Sequence, residues 1–317
     1  MRSDEEGSRL ETFLRRRLGL SRPTALKALR KGWVRVDGRR AKGGQHLSSG
    51  EVVKITNYAL PIPALEEAPR PARPSAPPDL VARARASLRR WDEDLVVAAK
   101  PAGVPVHRGT GHDHGWCDAL ACALEEREPA PQDASEAPMA LTPIGRLDRD
   151  TSGLLLLARR RGAARRLFAA LRAGEVARTY LALVAGRPRR ERGQIELPLA
   201  KGGPAGREQM QAGEGGKAAR TRWRVRQRAG RATLLEVEID TGRTHQIRAH
   251  LAAEGHPLLG DPRYGDEASR ALSRSLGVPR LFLHAARLRY PHPATGAISE
   301  HEEPLPPELS RVLEALG

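Results

Sequence analysis

Apolar residues near the amino terminus recur at the spacing of two short amphipathic helices. In the first helix the apolar positions Leu10, Phe13, Leu14 and Leu18 recur at helical spacing, with steps of three or four residues from Leu10 to Phe13 and Leu14 and from Leu14 to Leu18. A second helix is predicted to begin after Ser21, a residue type that caps helices, and it tolerates Pro23 in its first turn. Its apolar residues Leu26 and Leu29 are expected to face inward.

Charged positions form the outer face of the second helix. Lys27, Arg30 and Lys31 are three or four residues apart, which places them on one side. The segment WVRVDGRR then alternates at the period of a strand and turns at Asp37-Gly38, and SSGEVVKI predicts a further strand. Residues 1–60 contain 14 Lys and Arg against 6 Asp and Glu, so this small module carries half of the formal net charge of +16.

A cluster of prolines separates this module from the rest of the chain. Residues 61–79 hold seven prolines and no apolar periodicity, which is typical of an extended linker. Aliphatic runs resume after Trp91. We therefore predict a first domain at 1–60, a proline-rich linker at 61–90 and a second domain at 91–317.

Strand-like and helical patterns alternate through the second domain. LVVAA and GLLLLA predict buried strands, and RGAARRLFAALRAG predicts a helix that ends at Gly174. In ARTYLALVAG a strand period places Tyr180, Ala182 and Val184 on one face. Lys100 stands at the turn after LVVAA, where it can meet a phosphate or be solvated, and we interpret this stretch as structural and not catalytic.

The segment GRLDRDTSGLLLLARR places Asp148 on a loop that enters a core strand. Thr151 and Ser152 offer hydroxyl and N–H groups that can hold its carboxylate, which is then either a fixed structural acceptor or a catalyst. Residues 232–266 predict a strand, a glycine turn and a helix capped by Thr244. Arg248 is near the start of that helix, and it can pair with a carboxylate from another loop and keep it ionised.

Composition indicates the kind of partner. The chain has 317 residues, with 54 Lys and Arg against 38 Asp and Glu, so we expect an anionic partner such as nucleic acid. Its charged first residues do not resemble a secretory signal, and no aliphatic run approaches the roughly 20 residues of a membrane span. The expectation is a soluble cytoplasmic protein, and two cysteines are too few for a disulfide framework.

Possible metal ligands cluster in HRGTGHDHGWCDALAC, at His107, His112, His114, Cys117 and Cys122. Their spacing lacks the short repeated Cys pairs of structural zinc sites. We interpret the segment as a loop that leads into a helix, and we predict no metal site.

Two resemblances follow from longer motifs. LSRPTALKALRKGWVRVDGRRAKGGQHLSSGEVV makes residues 8–56 resemble the S4 RNA-binding module, with a solvated helix pair that binds nothing as the alternative. KPAG (100–103), RLDRDTSG (146–153), RTYLALV (178–184), GRTHQIRAH (242–250) and RLFLHAARL (280–288) resemble the successive motifs of the RluA family of pseudouridine synthases. Within that family the chain is most similar to the RluC-like branch.

The resemblance implies a role for individual residues. Asp148 corresponds to the essential catalytic aspartate, Tyr180 to the tyrosine that lies against the target base, and Arg248 to the arginine that pairs with the aspartate. Leu283 corresponds to the leucine of the base pocket, and Arg146 to the arginine that fills the space of the flipped nucleotide. Lys27, Arg30 and Lys31 would bind RNA in the S4-like module.

One position departs from the family pattern. Gly145 stands where a histidine usually precedes RLD, which puts a phosphate or loop contact in doubt. Glycine also occurs there in the related RsuA-type synthases, so we expect the chemistry to be retained.

The resemblance implies an α/β (α+β) fold, with a mixed, largely antiparallel sheet, flanking helices and a basic central cleft. An S4-like module precedes this domain in the sequence. The implied function is isomerisation of particular uridines to pseudouridine in 23S ribosomal RNA, free or in a pre-ribosomal particle, by a monomer without cofactors. Because GDPRYG is closer to the RluD pattern, transfer RNA is an alternative substrate.

Two alternatives come from other functional classes. A non-catalytic RNA-binding or ribosome-assembly factor on the same fold would require Asp148, Tyr180 or Arg248 to be out of place. A glycosidase that uses Asp148 and Asp150 is disfavoured, because carboxylates two residues apart on one loop rarely flank a bond from opposite sides.

Overall fold

The structure, a computed structural model, describes residues 7–48, 51–55, 75–107, 113–127, 141–202, 209–213 and 215–316. The chain divides into two units, Met1–Arg73 and Pro74–Gly317. Within the described ranges, no helix has the length and apolar character needed to cross a membrane.

The first unit combines two helices and a three-stranded antiparallel sheet around one core. Its elements are α1 (Leu10–Leu18), α2 (Arg22–Lys31), β1 (Val34–Val36), β2 (Arg39–Arg40) and β3 (Val53–Ile55). Ser21 caps α2 as predicted, because its Oγ accepts a hydrogen bond from Thr24 N at 3.3 Å. The predicted turn at Asp37-Gly38 is also present, with φ of 47° and 77° at its two residues.

The buried face of α2 differs from the prediction at one residue. Leu26 is 40% exposed, whereas Ala25, Ala28 and Leu29 are buried. Ala28 and Leu29 lie one turn after Ala25 on the same helix face, whereas Leu26 follows Ala25 directly and is rotated about 100° away from it. Lys27, Arg30 and Lys31 are exposed, as expected.

The second unit is built on a ten-stranded sheet. Its strands are β4 (Leu88–Trp91), β5 (Leu95–Lys100), β6 (Thr142–Pro143), β7 (Ser152–Ala158), β8 (Ala177–Ala185), β9 (Arg192–Ile195), β12 (Thr221–Ala229), β13 (Ala232–Ile239), β14 (Leu283–Pro291) and β15 (Ile298–Glu302), and a separate hairpin joins β10 (Leu199–Gly202) to β11 (Gln209–Ala212). The order is β4-β5-β7-β14-β8-β13-β12-β9, with β6 beside β7 and β15 beside β14. Every pair is antiparallel except β7 with β14, which confirms the predicted mixed sheet.

Helices cover both faces of this sheet. They are α3 (Pro78–Ser87), α4 (Trp116–Glu125), α5 (Arg161–Arg172), α6 (Gln246–Ala253), α7 (Glu267–Ser275) and α8 (Pro307–Glu314). In β7, Leu155 and Leu157 join the core of α3, α4 and α6, while Leu154 and Leu156 join the core of α5. A strand buried on both faces has no polar alternation, which explains the unbroken GLLLLA run.

The predicted linker at 61–90 differs from the structure in its second half. Residues 61–74 lie outside the described part of the chain, but 78–90 form α3 and most of β4. Val81 and Ala84 of α3 are buried in the core of the second unit, and Pro78 is compatible with a helix start. The helix was not predicted because the linker was assigned from its proline content alone.

The parallel pairing of β7 with β14 brings two distant loops together. Because parallel strands start at the same sheet edge, the loop before β7 lies beside the start of β14. Gly153 permits the contact: its φ is 110°, and a Cβ there would lie 2.2 Å from Ala285 O. The Asp148 loop is thereby placed next to Leu283.

Candidate active site

Asp148 lies on the loop between β6 and β7. Thr151 N donates to Asp148 O at 3.2 Å and closes a turn, and the Asp148 side chain is 19% exposed. The prediction that hydroxyl groups hold the Asp148 carboxylate is wrong. Ser152 Oγ instead bonds to His284 Nδ1 at 2.9 Å and accepts from Arg280 Nη2 at 3.0 Å. Within the described residues the Thr151 hydroxyl has no hydrogen-bond partner.

Arg248, on the first turn of α6, contacts two carboxylates. Its Nη1 donates to Asp148 Oδ2 at 3.2 Å, and its Nε and Nη2 donate to the two oxygens of Asp261 at 2.8 Å each. Burial opposes the charge of Arg248, but Asp261 and then Asp148 outweigh it and raise the pKa of the guanidinium above its usual range. The expected meeting of Asp148 with Arg248 is therefore present, and Asp261 anchors the arginine.

Sequence reasoning missed Asp261. Burial disfavours its charge, but hydrogen bonds from Arg248 and from the N–H groups of Arg263 and Tyr264, at 2.9 and 3.1 Å, lower the pKa of its carboxyl. The available signal was GDPRYG itself, since an aspartate between glycine and proline is typical of a turn in which the carboxylate accepts backbone N–H groups.

Tyr180 and Leu283 come from adjacent strands. Tyr180 of β8 pairs in register with Ala285, and Leu283 at the start of β14 pairs with Ala182. Both residues are 3% exposed. Burial raises the pKa of the Tyr180 phenol, against the opposing charge of Arg178, so the hydroxyl keeps its proton at neutral pH.

His245 and Tyr264 extend the site beyond the predicted residues. His245 Nδ1 lies 3.0 Å from Tyr264 Oη, and His245 Nε2 lies 3.9 Å from Asp148 Oδ2. The predicted cap at Thr244 is wrong, because His245 occupies the N-cap position of α6 with φ of 52° and no capping hydrogen bond from its side chain.

These side chains line one pocket, whose wall includes Arg146, Asp148, Tyr180, His245, Arg248 and Leu283. Arg146 is exposed at the pocket, while Arg248 and Tyr180 are buried beneath it. A carboxylate with one oxygen bound to arginine, beside an aromatic ring, can act as a nucleophile or a base toward a flat ligand.

Comparison with known proteins identifies the family. The model of the RNA pseudouridylate synthase family matches residues 94–253, and the S4 domain model matches residues 8–53. Ribosomal large subunit pseudouridine synthase C of Salmonella typhi is 37% identical, over 99% of this chain and 94% of its own length. The protein of that name in Escherichia coli strain K12 is 36% identical over the same shares. The chain belongs to the RNA pseudouridylate synthase family.

Solved structures agree with the fold of this pseudouridine synthase. Human RNA Pseudouridylate Synthase Domain Containing 1 superposes with a TM-score of 0.56 at 26% identity, covering 71% of this chain and 86% of the human one. Human RNA Pseudouridylate Synthase Domain Containing 4 has a TM-score of 0.61 at 24% identity, covering 75% and 97%. The predicted resemblances to a pseudouridine synthase and to an S4 module are both confirmed.

Lys100 has a different environment in this synthase from either one we expected. Its ammonium donates to the carbonyl oxygens of Pro101, Val104 and Arg149 at 2.7, 2.9 and 2.9 Å, and the residue is 1% exposed. Burial lowers the pKa of Lys100 to about 7, against the raising effect of Asp150 and Asp148. Lys100 therefore fastens the Asp148 loop to the end of β5 and is neither solvated nor free for a phosphate.

The space beside Gly145 belongs to Arg178. Gly145 has φ of 96°, and a Cβ there would lie 2.9 Å from Arg178 Nη1. Gly242 faces the same guanidinium, at 3.5 Å from its own would-be Cβ. A histidine at 145 would be strained, and the end of the Arg178 side chain would have to move to make room for it.

The candidate metal ligands do not assemble within the described residues. No group of three His, Cys, Asp or Glu suited to a metal is present in that part of the chain, and His112 lies outside it. Cys117 lies in the first turn of α4, the helix predicted here, and burial raises the pKa of its thiol to about 12. His114 Nδ1 bonds to Ser75 O at 2.8 Å.

Proposed function

We propose that this synthase isomerises specific uridines of large-subunit ribosomal RNA to pseudouridine, with Asp148 as the reacting carboxylate. The observation that carries the chemistry is the contact of Asp148 Oδ2 with buried Arg248, in a pocket bordered by the Tyr180 ring. The substrate class is supported by relatives that match over 99% of this chain and are named for the large ribosomal subunit.

The reaction requires one bond to break and another to form at the same sugar carbon. The N1–C1′ bond of uridine is cleaved, uracil turns in the pocket, C5 joins C1′, and C5 loses its proton while N1 gains one, so that the product is an isomer. Asp148 either attacks C1′ or removes the C2′ proton, and both routes start from its anion. Arg248 holds that anion in place while Asp261 holds Arg248.

The other pocket residues act on the base. The Tyr180 ring provides a flat surface on which uracil turns, and its protonated phenol can take part in moving the C5 proton. Leu283 forms the apolar wall. Flipping the uridine out of its stack costs a few kcal/mol, which exposed Arg146 offsets by filling the space that the nucleotide leaves.

The first unit supplies affinity for the RNA. Lys27, Arg30 and Lys31 are exposed on α2, inside the segment that matches the S4 domain. Exposed cations on one helix face bind phosphates and release counterions, so their contribution weakens with salt. Large-subunit ribosomal RNA, free or in a pre-ribosomal particle, is the partner we assign to this face.

The alternative of transfer RNA rested on the GDPRYG segment. Asp261 of that segment is the bidentate partner of Arg248, which explains the aspartate by its structural role and not by an RNA target. Mapping pseudouridine in ribosomal and transfer RNA from a strain that lacks this gene would identify the substrate. Loss of sites in transfer RNA alone would refute our assignment.

The catalytic assignment is tested with Asp148→Asn, using Asp150→Asn as a matched control on the same loop. Asp150 pairs with Arg149 Nε at 3.0 Å and is not among the residues that line the pocket. Because Arg248 keeps Asp261 as a partner, Asp148→Asn should retain its melting temperature and RNA affinity but form no detectable pseudouridine. Asp150→Asn should remain active. A well-folded Asp148→Asn protein that still converts uridine would falsify the assignment.

A further inference from the structure

His245 lies at the start of α6 in a backbone conformation that is uncommon for residues other than glycine. Its φ of 52° is in the left-handed region, where glycine and asparagine are least strained. Gln246 holds this turn, because its Oε1 accepts from Thr241 Oγ1 at 2.7 Å and from Arg243 N at 3.1 Å. The backbone at this position tolerates histidine but does not require an imidazole.

Neighbouring groups select one tautomer of this imidazole. Met210 N–H donates to Tyr264 Oη at 2.8 Å, and Tyr264 Oη lies 3.0 Å from His245 Nδ1. The Met210 N–H and the Tyr264 O–H both have an acceptor when the tyrosine hydroxyl donates to His245 Nδ1. The proton of the neutral imidazole is then on Nε2. Burial keeps the ring neutral, since it lowers the pKa of His245 against the raising effect of Asp148.

The Nε2–H group faces the carboxylate of Asp148. His245 Nε2 is 3.9 Å from Asp148 Oδ2, the same oxygen that accepts from Arg248 Nη1 at 3.2 Å. Arg248 thus donates to Oδ2, and His245 Nε2 lies just beyond hydrogen-bond distance of the same oxygen. Hydrogen bonds at a catalytic group are often long before the substrate binds and shorten in the complex.

We propose that His245 is a positioning residue for the reaction, which orients Asp148 by donating from Nε2 to Oδ2. With Oδ2 held by His245 and Arg248, Oδ1 is the carboxylate oxygen left for the ribose. This inference rests on the proposed function, because it assumes that Asp148 reacts. It also gives the imidazole at this left-handed position a function.

Two substitutions separate this role from a structural one. Asparagine suits the left-handed backbone and places its amide near the position of Nδ1, beside Tyr264, but it is too short to reach Asp148. Glutamine fits the backbone less well, yet its amide N–H reaches the position of Nε2. A positioning role and a structural role therefore predict opposite orders for His245→Asn and His245→Gln.

We expect His245→Gln to be the more active variant and His245→Asn to be the more heat-stable one. The single-turnover rate at saturating RNA should fall about 10- to 100-fold in His245→Asn, the size of effect that a misplaced reacting group produces. The dissociation constant of the RNA should change little in either protein. A rate for His245→Asn equal to or above that of His245→Gln would overturn the proposal.

Asp148→Asn, assayed in parallel, distinguishes the two levels of failure. If Asp148→Asn is active, the proposed role of Asp148 fails. If Asp148→Asn is inactive while the order of the His245 variants is reversed, the proposed function stands and only this inference fails.

The role of Tyr264 in selecting the tautomer gives an independent test. Tyr264→Phe should slow the parent about 3- to 10-fold, as expected for the removal of one hydrogen bond. The same change in the His245→Gln background should have little effect, because an amide has no tautomer to select. Equal losses in both backgrounds would contradict the proposed hydrogen-bond chain.

Discussion

The cations of the pocket and those of the first unit are placed in opposite ways. The Arg248 side chain is 5% exposed and bonds to two carboxylates. Lys27, Arg30 and Lys31 are exposed and form no ion pair with another described residue. A buried, paired charge has one geometry and can orient a reacting group, whereas an exposed, free charge adds affinity for any polyanion.

Strand β12 shows that exposure alone does not make a binding surface. Arg222 and Arg224 point to solvent, but Arg222 pairs with Asp240 at 2.7 Å and Arg224 with Glu236 at 2.6 Å across the hairpin. In cross-strand pairs of this kind the two opposite charges cancel locally. The net charge of +16 counts these arginines equally with the exposed cations of α2, so composition alone cannot locate the RNA surface.

The largest effect should come from breaking the buried pair. Asp261→Asn removes the bidentate partner of Arg248, and we expect it to cost about 3 to 5 kcal/mol of unfolding free energy and to abolish activity. Asp240→Asn, which breaks an exposed pair with Arg222, should cost less than about 1 kcal/mol. Chemical denaturation of both proteins measures the difference. Equal losses would mean that burial does not distinguish these two pairs.

Two substitutions of Tyr180 should distinguish its support of the base from its part in proton transfer. Tyr180→Phe keeps the ring, so we expect RNA binding to be retained while the rate falls about 100-fold, as for the removal of a proton-transfer group. Tyr180→Ala also leaves a cavity, so it should impair binding, activity and stability together. The measurements are RNA affinity, single-turnover rate and melting temperature. Parental activity in both variants would show that Tyr180 only packs the strand.

The smallest effect on turnover should come from α2. Replacing Lys27, Arg30 and Lys31 with Ala should lower the slope of log affinity against log salt by about 0.7 to 0.9 for each RNA phosphate that the helix no longer binds. The rate at saturating RNA should change little.

A matched control removes three cations that are already paired. Arg220, Arg222 and Arg287 pair with Glu196, Asp240 and Glu302, and their replacement with Ala lowers the net charge by the same amount. We expect this variant to keep most of the salt slope. If the slope falls equally in both triple variants, net charge and not the α2 face determines RNA affinity.

Local patterns in the sequence determined the elements around the site. The GLLLLA run, the alternation at Tyr180 and Ala182, and the Asp37-Gly38 turn all have the structure that they predicted. Each depends on residues a few positions apart, whose period or turn chemistry is the same wherever the segment lies. The residues that the family motifs singled out also line one pocket in the structure: Arg146, Asp148, Tyr180, Arg248 and Leu283.

Tertiary structure alone decided how the charges are used. Nothing near Lys100 in sequence indicates that it is buried. The role of Asp261 is visible only in its hydrogen bonds to Arg248. Arg248 in turn bonds to Asp148, which is a hundred residues away in sequence. His245 likewise gains its neighbours only when α6 approaches the Asp148 loop. The physical reason is that a charged group is stable in the interior only with suitable partners, and the fold, not the local sequence, supplies them.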